Sequence, residues 1–264
     1  MGAGEAYSSR ATNEIRNEEC QLNQIKTVIV TGASRGIGKA IALSFAKRHW
    51  NVVILASKIA SDLEKTKQEI ESHGAHCLSL LGDVSDPEFV SFVMEETKKR
   101  FSTVHCLVNN AGISYIGLIT DMSNEDWNQI LNTNLSSVFY FSRAVVPMML
   151  QEQDGCIINI SSVWGEVGAS CEVAYSATKG GINAFTKALA KELAPSHIKV
   201  NAISCGAIHT SMNEWLSKEE EDALIDEIPA GRLGEPEEIA EFAYSLTESS
   251  YLTGQIIRMD GGWI

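Results

Sequence analysis

Proline and long apolar runs are scarce in this sequence. Only 5 of its 264 residues are proline, which excludes a collagen-like or proline-rich disordered chain. No apolar stretch approaches the roughly 18 residues of a transmembrane helix, so no membrane association is expected. The six cysteines form no Cys-x-x-Cys pair. We therefore predict buried free thiols in a reducing, cytoplasmic protein, with neither a disulfide framework nor a metal site.

Basic residues are also in deficit, with 21 Lys and Arg against 34 Asp and Glu and a net charge of −13. An acidic surface repels phosphate backbones and anionic lipids, so nucleic-acid and membrane-surface binding are not expected. A small anionic ligand in a local basic pocket is still compatible with this charge. The apolar fraction of 44% is sufficient for a sizeable core.

Residues 1–25 are predicted to form a flexible extension. They contain no long apolar core and no small-residue cleavage site, unlike a secretory signal. Acidic residues such as Glu14 and Glu18 argue against an organelle transit peptide. No composition break or internal repeat divides the rest, so residues 26–264 are predicted to form a single domain.

Short apolar segments alternate with helical patterns from Lys26 onward. The predicted strands are residues 27–30, 52–56, 77–81, 106–108, 157–160, 199–203 and 255–259. The predicted helices are residues 37–48, 61–72, a helix from Pro87, 125–150 and 173–193. Because the strands are apolar throughout, they are expected to be buried on both faces. The pattern predicts an α/β fold with a doubly wound, Rossmann-type parallel sheet.

The segment 210–234 interrupts this alternation and is predicted to be an insertion near the ends of the strands. Within it, Ser217 followed by Glu220 is typical of a helix start.

A glycine-rich turn joins the first strand to the first helix, with the sequence Thr31-Gly32-Ala33-Ser34-Arg35-Gly36-Ile37-Gly38. Gly32 allows a tight turn, Gly36 lets the backbone approach a pyrophosphate, and Gly38 lets the helix pack on the strand. The N–H groups and positive dipole end of the helix then face the phosphates. In this strand–turn–helix context the motif predicts dinucleotide binding.

The second strand ends in Ala56-Ser57-Lys58, without the carboxylate that would bind a free ribose 2′-hydroxyl. Arg35 and Lys58 supply two cations at this corner, and Ser57 supplies a hydroxyl. Cations suit a 2′-phosphate, so NADP(H) is favoured as cofactor. NAD(H) is the alternative if both cations are merely solvated.

Tyr175 and Lys179 begin a predicted helix, where residues four apart share one face. A nearby cation favours the phenolate, so Lys179 is expected to lower the pKa of Tyr175. Ser162 lies beyond the carboxyl end of the fifth strand, where ligands bind in open α/β sheets.

Together these features resemble the short-chain dehydrogenase/reductase family, from about Lys26 to Ile264. The shared motifs are the turn 31–38, Asn109-Asn110-Ala111-Gly112, Asn134, Ser162, and Tyr175 with Lys179. Segments 133–139 and 228–234 are most similar to bacterial 3-oxoacyl-acyl-carrier-protein reductases.

The resemblance implies an NAD(P)-dependent oxidoreductase. Tyr175 would donate a proton to the substrate oxygen, Ser162 would hydrogen-bond that oxygen, and Lys179 would bind the nicotinamide ribose. Asn134 would hold a water that links Lys179 to solvent. Residues 210–228 would form a lid over the pocket. The cofactor-binding residues would be Gly32, Ser34, Arg35, Gly36, Ile37, Gly38, Ser57, Lys58, Asp83, Val84, Asn110, Ala111, Gly112, Tyr175, Lys179, Ile208 and Thr210.

Two features depart from the family pattern. Cys205 stands where the family usually has proline, and we predict a packing role because hydride transfer needs no nucleophile. Carrier-protein reductases have arginines beside the site, but the corresponding segments 153–155 and 195–197 have none. The net charge adds repulsion against an acidic carrier.

The predicted activity is NADPH-dependent reduction of a ketone, with a 3-oxoacyl thioester as the leading substrate. Met212-Asn213 and residues 251–264 also resemble reductases of the aminopentanone on modified elongation factor P. A small sugar or steroid ketone stays open. The alternative from another class is a non-catalytic dinucleotide-binding scaffold, although such relatives usually lose the tyrosine or the lysine.

A homotetramer is predicted from the helices at 125–150 and 173–193, which carry apolar residues on more than one face. These residues are Val138, Phe139, Phe141, Val145, Val146, Met148, Met149, Ile182, Phe185, Leu189 and Leu193. A helix on a sheet needs only one apolar stripe. Burial by neighbouring helices of the same monomer is the alternative. The family pairs these helices between subunits and forms a second interface at the last strand, where residues 261–264 end in large apolar groups.

Overall fold

The computed structural model describes residues 25–211 and 216–264. The predicted extension, apart from residue 25, lies outside these ranges. Cys20, Met212 and Asn213 also lie outside them.

Seven parallel strands form one sheet in the order β3-β2-β1-β4-β5-β6-β7. This order confirms the predicted doubly wound sheet and single domain. The strands are β1 Thr27–Thr31, β2 Asn51–Ala56, β3 Cys77–Leu81, β4 Cys106–Asn109, β5 Gly155–Ser162, β6 Ile198–Cys205 and β7 Ile256–Met259.

Helices cover both faces of the sheet. They are α1 Gly36–Ala46, α2 Ala60–Ser72, α3 Pro87–Phe101, α4 Asn124–Leu131, α5 Ser137–Glu152, α6 Trp164–Val167, α7 Val173–Leu193, α8 Lys218–Glu227 and α9 Pro236–Glu248. The helix start at Ser217 is confirmed by a capping box with Glu220. The sequence did not predict α6 or α9. None of these helices has both the length and the apolar content of a membrane-spanning segment.

The predicted helix 125–150 is helical throughout, but it is not a uniform α-helix. A π-helical turn, Asn132–Ser136, divides it into α4 and α5. Such turns occur frequently at functional sites, and Asn134, which the turn contains, is fully buried.

Side chains of β1 alternate between two cores. Val28 and Val30 face the layer of α1 and α9, and Ile29 faces the layer of α3, α5 and α7. Every residue of β1 is buried, as a sheet covered on both faces requires.

Strands β1 and β4 are neighbours, although two other strands lie between them in sequence. The turns that follow them therefore lie side by side. Gly32 has a φ of +66°, and a Cβ added there would lie 2.8 Å from the Ala111 Cα. The Asn110 side-chain amide donates to the carbonyls of Thr31 and Gly32, at 2.9 and 3.0 Å. The fold thus places a crevice at this switch point.

Candidate active site

Ser162, Tyr175 and Lys179 come together at the carboxyl end of β5. All three side chains are buried, and the hydroxyls of Tyr175 and Ser162 are hydrogen-bonded. Lys179 Nζ donates to the Ile160 carbonyl at 2.8 Å and lies 5.4 Å from the centre of the Tyr175 ring. The predicted helix face therefore exists, with the ammonium over the ring.

Burial dominates the protonation of this pair. It raises the pKa of Tyr175 well above the ordinary value, with a further rise from Cys205 and Glu172, while the hydrogen bond with Ser162 acts in the opposite direction. Burial therefore outweighs the lowering expected from Lys179, and the net pKa of Tyr175 is raised in this geometry. Burial also lowers the pKa of Lys179 to about 8.

Asn134 is fixed beside Lys179 by the π-helical turn. Its side chain accepts from the Ile113 N–H and donates to the Ile113 carbonyl, both at 2.8 Å. It also donates to Thr178 Oγ1 at 3.3 Å. A Cβ on Gly112 would lie 3.5 Å from Asn134 Oδ1 and 3.8 Å from Lys179 Nζ. Gly112 therefore lies beside both side chains.

The glycine-rich turn packs closely against the rest of the fold at Gly38 and lies beside Thr210 at Gly36. A Cβ on Gly38 would lie 2.3 Å from the Gly32 carbonyl oxygen, and a Cβ on Gly36 would lie 3.4 Å from Thr210. The Ser34 carbonyl accepts from Thr66 Oγ1 at 3.3 Å. Turn 31–38 and Thr210, which were predicted to share the cofactor site, therefore lie together.

The predicted cations lie beyond the carboxyl ends of adjacent strands. Arg35 follows β1, and Ser57 and Lys58 follow β2, all with exposed side chains. Within residues 25–211 and 216–264 neither cation forms an ion pair. Both are thus available to an anionic group.

The remaining predicted cofactor residues line the same edge or support it. Asp83 is exposed, and its Oδ1 accepts from the N–H and the hydroxyl of Ser85, both at 2.8 Å. Val84 and Ile208 are buried in the core. Ala111 donates its N–H to Thr31 Oγ1 at 3.0 Å. Ile37 is half-buried at the start of α1.

Cys205 is the register partner of Ser162 across β5 and β6. Burial raises the pKa of its thiol to about 12, so the thiol stays protonated. This supports the predicted packing role. Four of the five described cysteines are buried and all five are free.

Sequence reasoning missed Glu172. It lies at the start of α7 and accepts a hydrogen bond from Ser114 Oγ at 2.8 Å. Its charge acts on Tyr175, and no cation of the described ranges forms a salt bridge with it. The available signal was its position directly before the predicted helix 173–193, three residues from Tyr175.

Comparisons with known proteins agree with this site. The short chain dehydrogenase family matches residues 26–221. The chain is 38% identical over 241 residues to an uncharacterized oxidoreductase of Bacillus subtilis, YmfI. This match covers 90% of this chain and 98% of that protein. It is 40% identical over 240 residues to the 3-oxoacyl-acyl-carrier-protein reductase FabG of Escherichia coli, with coverage of 90% and 96%.

A crystal structure described as a candidate gluconate dehydrogenase of Agrobacterium tumefaciens superimposes with a TM-score of 0.86 at 33% identity, covering 90% of this chain and 95% of that one. The chain therefore belongs to the short-chain dehydrogenase/reductase family and is a short-chain oxidoreductase with a nicotinamide dinucleotide cofactor.

Proposed function

We propose that this protein reduces a ketone to a secondary alcohol with NADPH. The observation that carries the proposal is the convergence of Ser162, Tyr175 and Lys179 beside the glycine-rich turn, which the non-catalytic scaffold alternative would not require.

The described residues fit a dinucleotide. Gly36 has a φ of +54°, and the nearest side chain to its open face is that of Thr210. The glycine turn therefore leaves backbone exposed at the start of α1, where helix N–H groups bind phosphates. Turn 31–38, Arg35 and Lys58 would hold the adenosine end, and Lys179 would hold the nicotinamide ribose.

When bound, the nicotinamide supplies a hydride. The Tyr175 hydroxyl donates its proton to the ketone oxygen, and the Ser162 hydroxyl donates a hydrogen bond to the same oxygen. Lys179 would hold the ribose and supply positive charge beside the phenol. Asn134 would hold the water that returns a proton to this chain of groups.

NADPH is proposed over NADH because Arg35 and Lys58 are both exposed where the 2′-phosphate would lie, and neither forms an ion pair with another described residue. Lys58→Asp should lower kcat/KM for NADPH by about 10-fold or more through charge repulsion, with little loss for NADH. Lys65→Asp on the exposed face of α2 is the matched control. An unchanged ratio of kcat/KM for the two cofactors would locate the 2′-phosphate elsewhere.

A 3-oxoacyl thioester is the first proposed substrate. The similarity to FabG proteins over about nine-tenths of the chain supports it. The experiment is NADPH oxidation with 3-oxoacyl thioesters on a small thiol and on acyl-carrier protein. No oxidation with either, in the presence of oxidation with another ketone, would reject this substrate class.

Glu172 favours a second candidate, a ketone that carries an amino group, such as the aminopentanone on modified elongation factor P. This carboxylate near Tyr175 has no salt bridge with any cation of residues 25–211 and 216–264, so it would attract an ammonium group and repel an acidic carrier. Glu172→Gln keeps the shape and removes the charge. It should raise KM several-fold for an amino ketone and leave KM for a neutral ketone unchanged; equal effects on both would reject this candidate.

We also propose a homotetramer. Phe139 and Leu150 of α5 and Trp127 of α4 stay exposed by 38–42%, and Tyr251, just before β7, is 101% exposed. Most of the apolar residues that suggested the prediction are buried within the monomer, including Val138, Phe141, Val145, Met149, Ile182 and Leu193, so the exposed ones carry the proposal. Light scattering that returns the 28.8 kDa monomer mass with full activity would refute it.

A further inference from the structure

Helix α8 buries none of its residues. The interactions in its first turns are local: the capping box of Ser217 and Glu220, and ion pairs of Lys218 with Glu221 and Asp222 at 3.3 and 2.9 Å. Such interactions form a helix but do not fix its position on the domain. The contacts that hold α8 on the domain lie at its C-terminal end.

Residues 260–264, which we call the hook, fold back after β7. The Asp260 carboxylate accepts from the Gly262 N–H at 2.9 Å and from the Ile264 N–H at 3.0 Å. The positive φ angles of Gly261 and Gly262, +66° and +85°, allow this tight conformation.

The hook packs against the segment that follows α8. The Gly261 carbonyl accepts from the Ala230 N–H at 3.0 Å. A Cβ on Gly261 would lie 2.8 Å from Ile228, the buried residue that directly follows α8.

Trp263 extends this contact in two directions. Its indole N–H donates to the carboxylate of Glu227, the last residue of α8, at 3.2 Å. Its ring meets the Trp164 ring edge-on, with centroids 4.9 Å apart. The backbone N–H of Trp164 donates to Ser162 Oγ at 3.2 Å. Trp263 therefore connects α8 to the segment that positions Ser162.

Helix α6, which contains Trp164, is also bound to strands β6 and β7. Glu166 of α6 accepts from Arg258 Nη2 at 2.7 Å and from Ser204 Oγ at 2.5 Å, and the hydrogen bond with Arg258 lowers the pKa of this carboxyl. Arg258 also donates to the Ile264 carbonyl. Strand β7 therefore anchors both the hook and α6.

We propose that Trp263 is a positioning residue for substrate. It ties α8 to Trp164, whose backbone N–H is hydrogen-bonded to Ser162, and so sets the affinity for the ketone. This inference rests on the proposed function, in which the ketone binds at Ser162. Cofactor affinity should not depend on Trp263, because the glycine-rich turn is formed by other elements.

The first test separates KM from kcat. Trp263→Ala should raise KM for the ketone about 10-fold, since it loses both the ring contact and the hydrogen bond. Trp263→Phe and Glu227→Ala should each raise KM about 3-fold, and the double variant should be no worse than either single one. The Kd for NADPH and kcat should stay within about 2-fold. Glu219→Ala, a change of an exposed carboxylate at the other end of α8, is the control.

The second test needs no substrate. Hydrogen exchange of α8 amides should be at least several-fold faster in Trp263→Ala than in the wild type, with exchange in α7 unchanged. Unchanged exchange in α8 overturns the tie. Faster exchange with an unchanged KM overturns the positioning role. If the wild type reduces no ketone, the proposed function fails, and hydrogen exchange alone decides whether the tie exists.

Discussion

Helix α7, the floor of the site, and helix α8 are built in opposite ways. Helix α7 buries nine of its residues, including Tyr175 and Lys179, whereas α8 buries none. The floor is fixed by packing in the core, whereas the contacts that hold α8 lie at its C-terminal end. The placement of Tyr175 and Lys179 and the placement of α8 therefore depend on different residues.

The largest expected effect is on the floor. Tyr175→Phe removes the proton donor but keeps the buried ring, so turnover should fall by about 10²–10⁴-fold while NADPH still binds. Steady-state kinetics and an NADPH binding titration measure the two effects. Tyr251→Phe, at a fully exposed tyrosine, is the control, and turnover of Tyr175→Phe within twofold of the wild type would reject the assigned role.

A smaller effect is expected at the cofactor turn. Gly38→Ala places a Cβ 2.3 Å from the Gly32 carbonyl oxygen and 2.4 Å from Asn110 Nδ2. The turn must shift, which should weaken NADPH binding about 10-fold and destabilise the fold by roughly 1–3 kcal/mol. Gly74→Ala meets no atom within 4 Å, but its φ of +77° is strained. That control should therefore lose stability alone, and equal loss of NADPH affinity in both variants would contradict the prediction.

The sequence predicted the parts of this molecule that depend on local rules. Apolar strands identified the sheet, and the glycine pattern, Ser162, Tyr175 and Lys179 identified a site that the fold brings together. The protonation of Tyr175 was not predictable, because burial depends on residues that are distant in sequence.

The contacts that hold α8 were also not predictable from the sequence. Trp263 and Trp164 are nearly one hundred positions apart, and no periodicity links them. The π-helical turn at Asn134 was missed because a continuous helical pattern runs through it.

The buried lysine of the floor should make stability depend on pH. The pKa of Lys179 is lowered from 10.5 to about 8, so below pH 8 both states are protonated and the folded state bears the full cost of a buried charge. Between about pH 8 and 10.5 the unfolded chain binds more protons, so this group makes stability rise with pH.

Lys179→Met removes that dependence. The free energy of unfolding of the variant minus that of the wild type should be larger at pH 7 than at pH 10, by on the order of 2–3 kcal/mol. Urea unfolding of both proteins at the two pH values measures this difference. Cys205, whose raised pKa lowers stability above pH 9, is present in both proteins. A difference that is constant with pH would show that the ammonium is not buried.

The smallest effect comes from a comparison of two N-cap residues, one on the exposed helix α8 and one on α3, which packs in the core. Ser217 caps α8 by accepting from the Glu220 N–H, and Asp86 caps α3 by accepting from the Glu88 N–H at 2.9 Å. Loss of an N-cap costs about 0.5–2 kcal/mol of helix stability. Because α3 buries residues such as Phe101, Asp86→Ala should lower the free energy of global unfolding by about 1 kcal/mol. Ser217→Ala should leave global unfolding unchanged and only speed hydrogen exchange in α8, since that helix can unfold alone. An equal loss of global stability in both variants would mean that α8 is part of the cooperative core, contrary to its exposure.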